Sequence, residues 1–114
     1  MKPAAPGETA IQRSVIQHWR LLGLPNTLVA AVPNAMAHGQ PGLTRGLPDL
    51  LVLAPNLPAG FIELKKDHDS VISDDQRQFA LLCARICVRH AFAVGRDEPI
   101  AILEQWGAVR RAAA

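Results

Sequence analysis

GLPDLLVLAPNLPAGFIELKK, residues 46–66, holds two apolar runs separated by a turn-forming segment with Pro55, Asn56 and Pro58. Each run is short and bounded by turn formers, so both are expected as strands, over 49–54 and 60–65. Alternation along a strand puts Asp49, Leu51 and Leu53 on one face and Leu50, Val52 and Ala54 on the other. In the second run Phe61, Glu63 and Lys65 share a face opposite Ile62 and Leu64. Pairing the runs as an antiparallel hairpin brings residues 49 and 65 to the same open end, with 63 within a pair's reach. Neither strand needs a charge to fold. An acid inside an apolar strand costs several kcal/mol unless something compensates it.

A divalent cation is one compensation that also yields chemistry. Asp49 and Glu63 supply oxygen ligands suited to Mg²⁺ or Mn²⁺, and the carbonyl of Leu64 can add a third. Such an ion polarises a phosphate and its attacking water. Lys65 can orient or deprotonate that water, or neutralise charge in the transition state. An ordinary salt bridge at a strand end is the competing explanation, since E-x-K alone is common.

Outward from this hairpin the layout is regular. Ile11, Val15, Trp19 and Leu22 recur at helical spacing over 8–22, and Gly23 and Pro25 end that helix. Residues 27–33 (TLVAAVP) are expected as a strand, and the glycine-rich 34–46 segment as a loop. A second helix is expected over about 73–90, with Phe79, Leu82, Cys83, Ile86 and His90 on its inner face. Ser73 and Gln76 open it with a capping-box pattern. His90–Val94 reads as a short strand. Asp97 and Pro99 open a last helix to about 110, with Ile102 or Leu103, Trp106 and Val109 inward. The order αβββαβα implies an α/β fold, a mixed central sheet flanked by helices, in one domain over 1–114 with its core at about 8–110.

At 114 residues, 49% hydrophobic and 19% charged, the chain can bury one core and is not of disordered composition. Six of its ten acids, Asp49, Glu63, Asp67, Asp69, Asp74 and Asp75, fall in the central segment, while arginine is in excess on the flanks. That distribution suits a cation-holding site in surroundings that attract a polyanion, although solvated loop acids account for much of it as well. The N-terminal MKPAAPGE lacks the apolar stretch of a secretory signal, and no run reaches membrane-span length, so a cytoplasmic chain is expected. Cys83 and Cys87, four apart in a helical pattern, are expected as buried, reduced core residues and not as a disulfide. His18, His38, His68 and His90 are scattered. There is no serine–histidine triad pattern and no phosphate-cradling glycine loop, so no nucleotide cofactor is expected.

Two further residues have simple structural explanations. Glu8 in the first helical turn favours the helix dipole, and Gln76 completes a capping box.

In order along the chain come Glu8 and Gln12 (E-x-x-x-Q), Pro33-Asn34, G-L-P-D-L from Gly46 to Leu50, F-I-E-L-K-K from Phe61 to Lys66, and Ser73 with Gln76. Over about residues 8–103 this series resembles the virus-type replication-repair nuclease family (VRR-NUC), a branch of the PD-(D/E)XK nucleases. The resemblance implies a restriction-endonuclease-like αβββαβ core, with Asp49, Glu63 and Lys65 catalytic, Glu8 helping to hold metal and Gln76 positioning the site. One departure is Ala35, where the family commonly has glycine after the asparagine.

Small stand-alone members, encoded by bacteria and phages, resemble Holliday junction resolvases that act as dimers. The implied activity is therefore Mg²⁺- or Mn²⁺-dependent, structure-specific cleavage of branched DNA by a homodimer, with an interface expected on the last helix around Trp106. Flap, nicking or restriction-type cleavage remain alternatives, as does a catalytically silent module that binds DNA structures. Asn34, Arg45, Lys66 and Arg77, with Arg85 and Arg89 further along the second helix, are the expected DNA contacts, mostly to phosphates. Solvated arginines explain that helix face equally well.

Overall fold

The computed structural model describes residues 7–33 and 44–112. Helix α1 (Glu8–Leu22) is followed by strands β1 (Leu28–Ala31), β2 (Leu50–Ala54) and β3 (Leu57–Lys65), helix α2 (Asp74–Arg85), strand β4 (Arg89–Val94) and helix α3 (Asp97–Gln105). The element order matches the expected αβββαβα. Four strands form one sheet in the order β1-β2-β3-β4. β1–β2 and β2–β3 are antiparallel, whereas β3–β4 is parallel. A parallel neighbour cannot be reached through a tight turn, so α2 serves as the crossover. Among the described residues no helix is long and apolar enough to cross a membrane.

Alternation gives the two faces of the sheet different tasks. Leu50, Val52, Ile62, Leu64 and Ala93 are fully buried and pack with Ile11, Val15, Leu103 and Val109 into the core. Each large aliphatic side chain there contributes about 1.5–3 kcal/mol through burial. The opposite face carries Phe61, Glu63 and Lys65 beneath α2. There the Phe61 and Phe79 rings meet edge to face at 5.2 Å between centroids. The register pairs Leu50 with Ile62 and Leu51 with Phe61, so one further step brings Asp49 opposite Glu63.

Several boundaries differ from the expected ones. β3 begins at Leu57, because a register shift between Val52 and Ala54 lets pairing continue to the hairpin turn, with Pro58 exposed at that end. α2 stops at Arg85 instead of about 90. Cys87 takes the left-handed backbone (φ 62°), and Val88 N–H returns to the carbonyl of Cys83 at 2.8 Å. This is the bond pattern that usually places glycine past a helix end. α3 closes the same way at Gln105: Gly107 has φ 79° and Ala108 N–H bonds Leu103 O at 2.9 Å. Residues 106–110 are therefore not helical, and Val109 instead bridges to Gly23.

The early end of α2 also overturns part of its expected inner face. Cys83 is buried and Phe79 half-buried, but Leu82 and Ile86 are 48% and 59% exposed, and His90 belongs to β4. Cys87 is exposed, so of the two cysteines only Cys83 is a core residue. Trp106 packs against the core, its ring over Gly60, and so is used within the fold.

The turn before β2 is fitted closely to α2. Gly46 has φ 85°, and a Cβ there would lie 2.4 Å from the backbone carbon of Asp75. Gly46→Ala would combine left-handed strain with a backbone clash, and should destabilise the fold by at least about 2 kcal/mol in denaturant unfolding. A variant as stable as the parent would show that this turn is not held against the helix.

Candidate functional site

Pro48 is fully buried and directs the chain into β2, with Asp49 half-buried at its entry. Two backbone bonds fix Asp49. Its carbonyl accepts from Val32 N–H at 2.8 Å, and its Oδ2 accepts from Leu64 N–H at 2.7 Å. A side chain at the end of one strand thus caps a backbone group of the next, holding its carboxyl beside Glu63.

Glu63 is 3% exposed. Its Oε1 accepts from Gln76 Nε2 at 2.9 Å, while Oε2 is buried without a hydrogen-bond donor among the described residues. Its pKa is raised to about 9. Burial is the main cause. The Asp49 carboxyl adds to it by repulsion and by its readiness to share a proton, Lys65 opposes it, and Glu8 makes a smaller contribution in the same direction as Asp49. A buried orphan oxygen facing a second carboxyl calls for a shared proton or a cation.

Lys65 is 6% exposed, with Nζ donating to Val71 O at 2.9 Å and to Gln76 Oε1 at 2.8 Å. Gln76 joins the two strand side chains: its nitrogen serves Glu63 and its oxygen serves Lys65. The same oxygen accepts from Ser73 N–H at 3.0 Å, and Ser73 Oγ accepts from Gln76 N–H at 3.1 Å, completing the capping box. The amide has one orientation that satisfies all three partners. Capping and bridging are therefore one arrangement of one side chain, where the sequence offered them as alternatives.

Asp49, Glu63, Lys65 and Gln76 are brought together. Leu64 contributes its N–H to Asp49 while its side chain lies in the core. Glu8 is exposed at the start of α1 and acts on Glu63 through its charge. Among the described residues no set of three or more histidine, cysteine, aspartate or glutamate side chains is arranged to hold a metal, so Glu8 does not form a triad with Asp49 and Glu63. Two hard carboxyl donors with an unsatisfied buried oxygen nevertheless fit Mg²⁺ or Mn²⁺ in kind.

Arg45, Lys66 and Arg77 are exposed and surround this centre in the chain. Arg45 precedes the glycine that abuts Asp75, Lys66 follows Lys65, and Arg77 follows Gln76. Arg77 is paired with Asp74 at 3.6 Å across the surface, a contact of small energetic weight. Asn34 lies outside the described residues. The carbonyl of Val71 was missed from sequence, because a backbone acceptor leaves no residue signature.

The raised pKa has a consequence for stability. Glu63 holds its proton more tightly in the folded chain than in the unfolded one, where 4.5 applies. Its stabilising contribution is complete below 4.5 and is lost as pH rises toward about 9. With a chelator present, thermal stability should decline across that window, and Glu63→Gln should flatten the decline. Mn²⁺ added on the alkaline side should raise the melting temperature of the parent more than that of the variant. An identical pH slope in both proteins would refute this account of the carboxyl pair.

No protein-family profile matches the chain, and no curated protein matches it. Solved structures do. One, titled "VRR_NUC domain protein", superposes with a TM-score of 0.77 at 22% identity over 90% of this chain and 89% of its own. Another, titled "VRR_NUC domain", gives a TM-score of 0.62 at 22% identity over 86% of this chain and 94% of its own. Over about nine-tenths of its length the chain thus shares the mixed α/β fold of structures titled VRR_NUC.

Proposed function

We propose that this chain is a metal-dependent, structure-specific DNA endonuclease that hydrolyses phosphodiester bonds in branched DNA, with four-way junctions as its substrate and a homodimer as its acting form. The observation that carries the reading is the Oε2 of Glu63, which has no donor among the described residues and is buried beside the Asp49 carboxyl, one bridging amide away from Lys65. A fold shared with structures titled VRR_NUC supports it.

Asp49 and Glu63 would hold Mg²⁺ or Mn²⁺, with the carbonyl of Leu64 as a further oxygen. Glu8 adds negative potential that favours a cation. The bound ion supplies Lewis-acid polarisation of the scissile phosphate and its attacking water. The remaining tasks belong to the chain. Leu64 N–H holds Asp49 in its rotamer, so the carboxyl is placed before substrate arrives. Gln76 and the Val71 carbonyl occupy two directions around Lys65 Nζ, and the third, without a partner among the described residues, would meet a water or a phosphate oxygen. Arg45, Lys66 and Arg77, with Asn34, would seat the DNA backbone through phosphate contacts that read shape more than sequence. Two copies related by a two-fold axis would make the paired incisions that resolving a four-way junction requires.

Labelled four-way, flap and plain duplex DNA, incubated with and without Mn²⁺, test the reading directly. The expected result is Mn²⁺-dependent cleavage concentrated on the four-way substrate. Asp49→Ala and Lys65→Ala should each lower the rate by at least about a hundredfold while junction binding persists. Preference for flaps would move the substrate assignment within the same chemistry. Full activity in either variant, or binding without any metal-dependent cleavage, would overturn the proposal.

A further inference from the structure

Helix α2 turns apolar side chains outward as well as inward. Gln76, Phe79, Ala80 and Cys83 lie buried or half-buried toward the sheet, whereas Asp74, Gln78, Leu81, Leu82 and Arg85 are exposed. Leu81 is 43% and Leu82 48% exposed, with Ile86 at 59% just past the helix end. Positions 74, 78, 81, 82 and 85 follow one another at three- and four-residue steps, so they form a single stripe along the helix. Charge along that stripe is segregated. The acid, Asp74, is in the first turn, where it also meets Arg77 of its own helix at 3.6 Å across the surface; Arg85 is in the last turn, and Arg89 lies beyond it.

We infer that this stripe docks against itself: α2 packs antiparallel on α2 of a second copy, about a two-fold axis at Leu81 and Leu82. In that register Leu81 meets the partner's Leu82 and Gln78 meets the partner's Arg85, which Asp74 flanks from one turn away. A parallel arrangement would set acid against acid and arginine against arginine, so the charge pattern selects the antiparallel one. It also places each helix's positive end beside the other's negative end. The contact is isologous, as a two-fold pair requires. A helix of 12 residues is about 18 Å long and offers less than the roughly 800 Å² per partner of a standard stable interface. Association is therefore concentration-dependent and strengthens when both copies engage one DNA molecule. The inner side of the same helix carries Gln76, so the axis relates the two candidate sites through one shared element. This inference rests on the homodimer part of the proposed reading and not on its cleavage chemistry.

Sedimentation velocity on the full chain under reducing conditions, over a concentration series without DNA, tests it. A reversible dimer is expected. Leu82→Glu, a change at a side chain already half in water, should weaken dimerisation by more than about tenfold while leaving the thermal melt unaltered. Asp74→Arg and Arg85→Glu should each weaken it alone, and an equimolar mixture of the two should regain it, because opposite charges then face each other at both ends. A monomer at every concentration, a dimer indifferent to all three substitutions, or no recovery on mixing would each overturn the inference.

Discussion

A carboxyl group buried beside a second carboxyl, with one oxygen left without a donor among the described residues, is the constraint around which this small fold is arranged. Glu63 sits on a strand whose neighbours could bury an aliphatic residue at lower cost. Its position is enforced from three directions. The hairpin register brings Asp49 opposite, the Leu64 N–H fixes that aspartate, and Gln76 reaches down from α2 to take the other Glu63 oxygen. The ammonium of Lys65 is kept off a direct pairing with either acid by its bonds to Gln76 and Val71. The site is thus charged, close-set and incompletely satisfied, a state that persists because the surrounding backbone over-determines it.

Much of this was legible in the sequence, and for one reason. Strand faces follow a period of two, so the sharing of a face by Phe61, Glu63 and Lys65 follows from parity alone. A hairpin between two runs with a proline–asparagine turn then forces Asp49 toward Glu63. Helical period likewise sets Gln76 on the side of Phe79, Ala80 and Cys83, the side that faces the sheet. What could not be read was the bonding: a capping side chain with three partners looks, in a sequence, like a capping side chain with one.

The misreadings have equally specific causes. Residue identity did not mark the end of α2, because Cys87 occupies the left-handed position that glycine normally announces. In α3 that signal was present in Gly107, yet the apolar period of Trp106 and Val109 outweighed it. Leu82 and Ile86 were assigned to the inner face because helical period reports that apolar residues share a side, not which side the sheet occupies. Asp49 N-terminal to a strand and Glu8 at a helix start both fit a metal-ligand pattern by order along the chain. Among the described residues only the first is tied by hydrogen bonds to the centre. Order along a chain carries no distance, and an exposed helix start can stand some way from a buried strand end while obeying the same motif.

Helix α2 joins these threads. Its first turn is committed to the site through Ser73 and Gln76, and its middle turn to the sheet through Phe79 and Cys83. Little of the helix is held by burial of its own: Cys83 is its sole fully buried residue, and two leucines face solvent. A crossover helix so lightly anchored owes its position to the polar bonds at its N-terminal end as much as to packing. Those bonds are also the ones that orient Glu63 and Lys65. Anything that stiffens α2 from its exposed side therefore also stiffens the amide that bridges Glu63 and Lys65, because one short helix carries both surfaces and cannot shift on one without shifting on the other.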